Sequence, residues 1–265
     1  MHRKILIIDD HDDLASSLKE VFTHVGHDVT VVGDGASLPQ SDQLSTYDLV
    51  VTDIDVDETP VINKNGSRRS CLPRDTKKHE GEQTKAFKIC ASSFGLNGFD
   101  EEELKGLVAT ILDYKIRFVD TEEYVLDLHE YIEFEVPSAL SLMHIVLEYL
   151  LKRVEKLGVV KCEQSNLFVA LDEAFVNAIK HGNKFDSSKL VRITAEVSKK
   201  EARFIVEDEG EGFDVNNVAD PRDPQNLLKT SGRGVLFIYN IMDEVKYNER
   251  GNRLTMIKRG EPKAG

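Results

Sequence analysis

Positive charge is scarce in this chain: 34 lysines and arginines stand against 47 aspartates and glutamates, a formal net charge of −13. A phosphate backbone repels such a surface, which excludes nucleic acid as the main partner. Cysteine is scarce as well. Cys71, Cys90 and Cys162 lie far apart, show no Cys-x-x-Cys spacing and leave an odd one out. A disulfide framework is thereby excluded, and free thiols in a reducing cytoplasm are expected. Long apolar runs are missing too. The N-terminal Ile5-Leu6-Ile7-Ile8 stops at Asp9 and Asp10, too short for a signal peptide or a membrane span, and reads as a buried strand. No internal repeat or coiled-coil heptad occurs. What remains is a chain of 265 residues with an ordinary apolar fraction, long enough for two domains that each bury a core.

The first third alternates strand and helix. Lys4 to Ile8 has strand length, and Leu14, Leu18, Val21, Phe22 and Val25 recur at helical spacing before Gly26. Val29 to Val32 and Tyr47 to Ile54 read as further strands. Strands separated by helical patterns predict a parallel sheet with helices on its faces. From about residue 57 the pattern degenerates into a polar, basic loop over 59–85, rich in Lys and Arg (Lys64, Arg68, Arg69, Arg74, Lys77, Lys78, Lys85, with Lys88 beyond). This reads as a solvated loop, with docking onto an acidic partner surface as the alternative. Ala86 to Ala91 is strand-like, and Asp100 to Tyr114 is a helix with an acidic first turn suited to the helix dipole. The first domain is set at 1–114, a connector at 115–130, in which Arg117 to Val119 could pair with a sheet edge, a second domain at 131–260, and a tail at 261–265.

In the second domain Ile132 to Val136 reads as a strand and Leu140 to Leu157 as an amphipathic helix. A further helix is expected at about Gln164 to His181, then strands at Val191 to Val197, Arg203 to Asp208, Glu244 to Asn248 and Arg253 to Lys258, with a helix at Gly234 to Met242. Three runs carry chemistry. In Leu171 to Gly182, Glu173 and Asn177 are four apart and share a helical face, which Lys180 and His181 continue. In Asp208-Glu209-Gly210-Glu211-Gly212-Phe213, a carboxylate ends an apolar strand, where it is half buried and needs a donor such as an adenine amino group. Gly210 and Gly212 permit close backbone approach. In Ser231-Gly232-Arg233-Gly234, a glycine turn opens a helix whose free N–H groups can receive a phosphate, with Arg233 or Lys229 adding charge. Asn177 offers an oxygen to Mg²⁺.

These runs resemble the N, G1 and G2 boxes of the GHKL (Bergerat-fold) ATP-binding domains, and most closely the small serine/threonine kinases of the anti-sigma factor type, the RsbW and SpoIIAB group. The resemblance extends from Tyr131 to Arg259, including Glu135-Val136-Pro137-Ser138, Asp220-Pro221 and Asn226-Leu227-Leu228. It implies an α/β two-layer sandwich. It also implies that Asn177 holds Mg²⁺ and Asp208 reads adenine, that Gly210, Gly212, Gly232, Arg233 and Gly234 shape the phosphate pocket and lid, and that Glu173 is the general base toward a protein Ser or Thr hydroxyl. An ordinary Glu is a weak base, but phosphoryl transfer asks more for positioning than for proton removal.

The N-terminal part, best over Lys4 to Val56, resembles a response-regulator receiver of flavodoxin-like fold. Asp9, Asp10 and Asp53 end strands, and carboxylates converging there imply Mg²⁺ to offset them. Asp53 matches the phosphoacceptor, and Ser92 or Ser93 the hydroxyl residue after the fourth strand. The family's Lys-Pro pair is missing: no Lys precedes a Pro within Thr84 to Val119.

Together the resemblances imply an α/β protein of bacterial signalling, cytoplasmic, and an Mg-ATP-dependent protein serine/threonine kinase acting on a STAS-type anti-sigma factor antagonist under receiver-like control. A sigma factor is a second partner the family implies, an upstream histidine kinase a phosphodonor, and a homodimer the family's precedent. The alternatives are a non-catalytic nucleotide-dependent partner switch, or a histidine kinase-related ATPase. The last needs a phosphoacceptor His in a helical hairpin ahead of the pocket, a place that neither His129 nor His144 occupies.

Overall fold

The computed structural model describes residues 2–33, 41–56, 83–121, 128–161, 165–214 and 233–260. The chain divides into two compact units, Met1–Pro137 and Ser138–Gly265. Both are α/β, as expected. Cys90 is a free, buried thiol; Cys71, Cys162 and most of the basic loop lie outside the described residues.

In the first unit the elements run β1 (Lys4–Asp9), α1 (Ala15–His24), β2 (Asp28–Val32), α2 (Ser41–Leu44), β3 (Leu49–Asp55), β4 (Gln83–Cys90), α3 (Glu101–Tyr114) and β5 (Leu128–Pro137), with a 3₁₀ turn at Phe94–Asn97. The strand order is β2-β1-β3-β4-β5. Ile5 to Ile8 are all buried because β1 is central and covered on both faces. β1 pairs in parallel with β2 and β3, and the register sets Asp9 beside Asp53.

The expected parallel sheet stops at β3. β4 is antiparallel to it, with Val50 opposite Cys90 and Asp55 opposite Lys85. The sequence loses its strand–helix alternation after residue 57, and only a parallel return needs a crossover helix. Ser92 and Ser93 therefore follow β4 at the end of the sheet where β3 begins, away from Asp53. Ser93 Oγ donates to the Ser45 carbonyl (3.2 Å), and Ser92 Oγ lies 3.3 Å from Cys90 Sγ. Gln83 stands at the carboxylate end instead, its Nε2 donating to Asp55 Oδ2 (3.1 Å).

Asp100 caps α3 by accepting from the Glu103 N–H (3.0 Å), with Glu101, Glu102 and Glu103 filling the first turn. Arg3, buried at the start of β1, ties that turn down. Its Nε and Nη2 donate to Glu103 Oε2 at 3.0 and 2.6 Å, and its guanidinium lies 4.0 Å from the Phe94 ring centre. Of the expected connector 115–130, residues 122–127 lie outside the described residues. Lys115–Val119 continues α3 as a π-turn rather than pairing with a sheet edge, and Leu128 to Glu130 already belong to β5. β5, with the Ile132 to Val136 stretch expected in the second domain, pairs in parallel along β4.

The second unit contains α4 (Leu140–Lys156), α5 (Leu167–Val176) with a π-turn at Asn177–Gly182, β6 (Leu190–Val197), β7 (Glu201–Asp208), α6 (Arg233–Ile241), β8 (Glu244–Tyr247) and β9 (Arg253–Arg259). Its strands lie in the antiparallel order β6-β7-β9-β8. The apolar stripe of α4 is buried over Met143, Leu147, Leu150 and Val154, whereas Leu140 at its first turn is 43% exposed.

Candidate functional site

In the second unit the sequence runs converge. α5 carries Glu173 and ends at Asn177, four residues on and on the same face, while Leu171 and Phe175 are buried on the other side. At Asn177 the helix widens into the π-turn: the Asn183 N–H donates to the Ala178 carbonyl five residues back, at 2.8 Å. π-turns inside helices often mark functional sites. Lys180 and His181 lie within this π-turn. Both are exposed.

Three glycines show how close the runs lie. A Cβ at Gly182 would enter the Asp208 carboxylate, and one at Gly210 would meet the Gly182 carbonyl. One at Gly234, in the first turn of α6, would run into the Glu173 carboxylate. The N-terminal turn of α6 thus faces Glu173, where its free N–H groups favour negative charge. Gly212 takes φ +77° and backs onto the Arg250 carbonyl, a place with no room for a side chain.

Asp208 ends β7 half buried. Its Oδ1 accepts from the Gly210 N–H (2.8 Å), and no described residue donates to Oδ2. Burial pushes its carboxyl above the ordinary range, with Glu207 adding to the rise and the Gly210 N–H and Arg250 opposing it. A carboxylate so placed gains from a ligand donor. The glycine-lined cradle, the half-buried Asp208 and the amide of Asn177 fit ATP with Mg²⁺. Lys229 and Gly232 and the side chain of Arg233 lie outside the described residues, as do 220–221 and 226–228.

Residues 137–258 match the family model of the histidine kinase-like ATPase domain. Among curated proteins, the chain is similar to the serine-protein kinase RsbW of Staphylococcus epidermidis, 27% identical over 137 residues covering 49% of this chain and 86% of that protein. RsbW of Oceanobacillus iheyensis is 25% identical over 49% of this chain and 87% of its own length. RsbW of Staphylococcus aureus strain MSSA476 stands at 25%, with 49% and 86% covered. Among the described residues no helix is long and apolar enough to cross a membrane.

The acidic corner of the first unit is arranged differently from the expectation. Asp9 spends both oxygens on backbone donors: Oδ1 accepts from the His11 N–H (3.1 Å), and Oδ2 from those of Leu14 and Ala15 (2.7 and 2.8 Å). Asp10 Oδ2 accepts from the Asp55 N–H (2.6 Å) and its Oδ1 lies 2.5 Å from His11 Nδ1, which raises the His11 pKa. Asp53 Oδ2 accepts from Lys115 Nζ at 2.7 Å, and Asp120 Oδ1 lies 3.2 Å from the same ammonium.

The π-turn makes this triad. Asp120 N–H donates to the Lys115 carbonyl (2.8 Å), so residues five apart lie one above the other, and Lys115 Nζ sits 4.7 Å from the Phe87 ring centre. Among the described residues no three His, Cys, Asp or Glu side chains are grouped to hold a metal. In this arrangement the Lys115 ammonium takes up Asp53 Oδ2, and backbone N–H groups take up both oxygens of Asp9.

Burial pushes the Asp53 carboxyl up to about 6; Lys115 opposes the rise, and Asp120 and Asp9 add to it. Burial also disfavours the charge on Lys115, but Asp53 and Asp120 outweigh it and raise its pKa. Lys115 stands at a helix end and is followed by Ile116, so the chain keeps no Lys-Pro pair here.

Proposed function

We propose that the second unit is an Mg-ATP-dependent protein serine/threonine kinase of the anti-sigma factor type, acting on a STAS-type antagonist and able to hold a sigma factor. The observation that carries this reading is the packing of the Gly234 turn against Glu173 together with that of Gly182 and Gly210 against Asp208. Residues distant in sequence then surround one cradle, in a stretch that matches an ATPase domain model. The similarity to relatives named serine-protein kinases supports protein hydroxyl as the acceptor.

In this reading Asp208 accepts a hydrogen bond from the adenine amino group, and the cradle glycines leave the backbone free to approach the phosphates. Asn177 would hold Mg²⁺, which supplies charge neutralisation at the transferred phosphoryl group. Glu173, beside the first turn of α6, orients the acceptor hydroxyl and receives its proton. Control by the first unit belongs to the same proposal, with Asp53 as the residue whose charge state it reads.

The test is incubation with γ-labelled ATP and a purified STAS protein, with mass spectrometry of the acceptor. Phosphoserine or phosphothreonine formed by the wild type and lost in Glu173→Gln supports the reading. A labelled nucleotide that binds but is never transferred leaves a nucleotide-dependent switch in its place.

A further inference from the structure

The turn that presents Asp208 is held from outside by side chains that none of the motif runs contains. Asn252 Nδ2 donates to the Asp208 carbonyl (2.8 Å), and the Asn252 carbonyl accepts from the Asp208 N–H (3.0 Å). The Glu209 N–H donates to Asn183 Oδ1 (2.8 Å), and Arg250 Nη2 donates to the Gly210 carbonyl (2.8 Å). The Phe213 N–H closes the far side on the Arg250 carbonyl (3.1 Å). Successive backbone groups of one turn are therefore satisfied from α5's end and from the turn between β8 and β9.

Neither amide can be reversed without loss. Asn183 is fully buried and donates through Nδ2 to Ser138 Oγ (2.7 Å) and the Leu190 carbonyl (2.9 Å) while accepting through Oδ1. Flipped, it would set an oxygen against a carbonyl and an N–H₂ against an N–H. Asn252 is buried too. Its Oδ1 accepts from Asn248 Nδ2 (3.0 Å), and its N–H donates to Asn248 Oδ1 (3.1 Å). That reciprocal pair fixes which end of the Asn252 amide faces Asp208. Side chains locked in this way hold a recognition group in its working orientation before any ligand arrives.

We propose that Asn252 and Arg250, with Asn183, are positioning residues that set base selectivity, holding the Asp208 carboxylate where a 6-amino purine can donate to it. The inference rests on the nucleotide reading above and deepens it. It differs from a structural role in what it moves: loosening the turn weakens binding of a base with a 6-amino group more than of one without it.

The experiment compares ATP with purine riboside triphosphate, which lacks that amino group, by calorimetry on the full chain. Wild type is expected to prefer ATP. Arg250→Ala and Asn252→Ala are expected to reduce that preference, by about fivefold for Asn252→Ala, the size of one hydrogen bond's worth of orientation. Arg250→Lys is expected to recover part of it. Arg250 is exposed, so its variants stay folded even where Asn252→Ala does not. Wild-type preference for ATP that both Arg250 variants retain in full, or equal losses for both nucleotides, overturns the positioning role alone. A wild type that binds neither nucleotide, or both equally, overturns the nucleotide reading and the inference with it.

Discussion

Lys115→Met isolates the buried charge cluster of the first unit. The substitution keeps length and apolar stem while removing the ammonium that lies 2.7 Å from Asp53 and 3.2 Å from Asp120. All three side chains are nearly buried, at 5, 12 and 10% exposure, so solvent screens them little. Stripping one partner from such a pair costs about 3–5 kcal/mol, because the other charge stays buried and unpaired. That is a large part of the ~5–15 kcal/mol that holds a typical domain.

The cost depends on pH with a definite sign. The folded Asp53 carboxyl titrates at about 6, above its ordinary 3.8, so the fold binds that proton more tightly than the unfolded chain does. In the wild type that contribution is fully present below the ordinary pKa and is lost as pH rises through about 6; without Lys115, which holds the carboxyl down, the Met variant titrates higher still and loses more than the wild type above that pH. At pH 8 the Met variant buries an ionised, unpaired Asp53 and is expected to lose the full amount. At pH 5 Asp53 is mostly protonated, and the loss is expected to shrink to ~1–2 kcal/mol, left by Asp120. Urea unfolding followed by circular dichroism at both pH values measures this. The double variant Asp53→Asn/Lys115→Met is expected to regain stability over Lys115→Met at pH 8. A cost below ~1 kcal/mol at pH 8, or one equal at both pH values, refutes the reasoning.

Asn177→Ala is expected to abolish Mg-ATP binding by calorimetry, and unchanged affinity would contradict the site assignment. Gly212→Ala forces a side chain into φ +77° against the Arg250 carbonyl; a loss of ~1–3 kcal/mol by thermal unfolding is expected, and none would place the turn wrongly. Asp100→Ala removes the cap bond to the Glu103 N–H and is expected to cost ~1 kcal/mol, with faster amide exchange confined to the first turn of α3. Exchange that spreads evenly along α3 would count against that local reading.

What the sequence made legible was chemistry that is local along the chain. Glu173 and Asn177 share a face because a helix has a fixed period, and Gly210, Gly212 and Asp208 announce a strand end followed by a turn. Strand direction was not legible. Ala86 to Ala91 has the composition of a strand whichever way it runs, and with β4 reversed, Ser92 and Ser93 belong to the wrong end of the sheet. The π-turns were equally hidden, since a 3.6-residue period carries no sign of an added residue.

Lys115 shows why the remainder escaped. It meets Asp53 across 62 positions of sequence, from a helix end rather than from a strand, so neither a motif nor a spacing leads to it. Arg3 with Glu103, at 100 positions, and Asn252 with Asp208, at 44, are of the same kind. A buried polar group needs a partner, but its own sequence does not say which segment provides it. Residues expected to touch a ligand stand in short motifs, because a turn or a helical face presents them directly. Those that orient them are scattered, because their task is to satisfy backbone groups exposed wherever two segments meet. Asp208 is legible and Asn252 is not for that reason, although the carboxylate of the first points where it does only while the amide of the second holds its backbone.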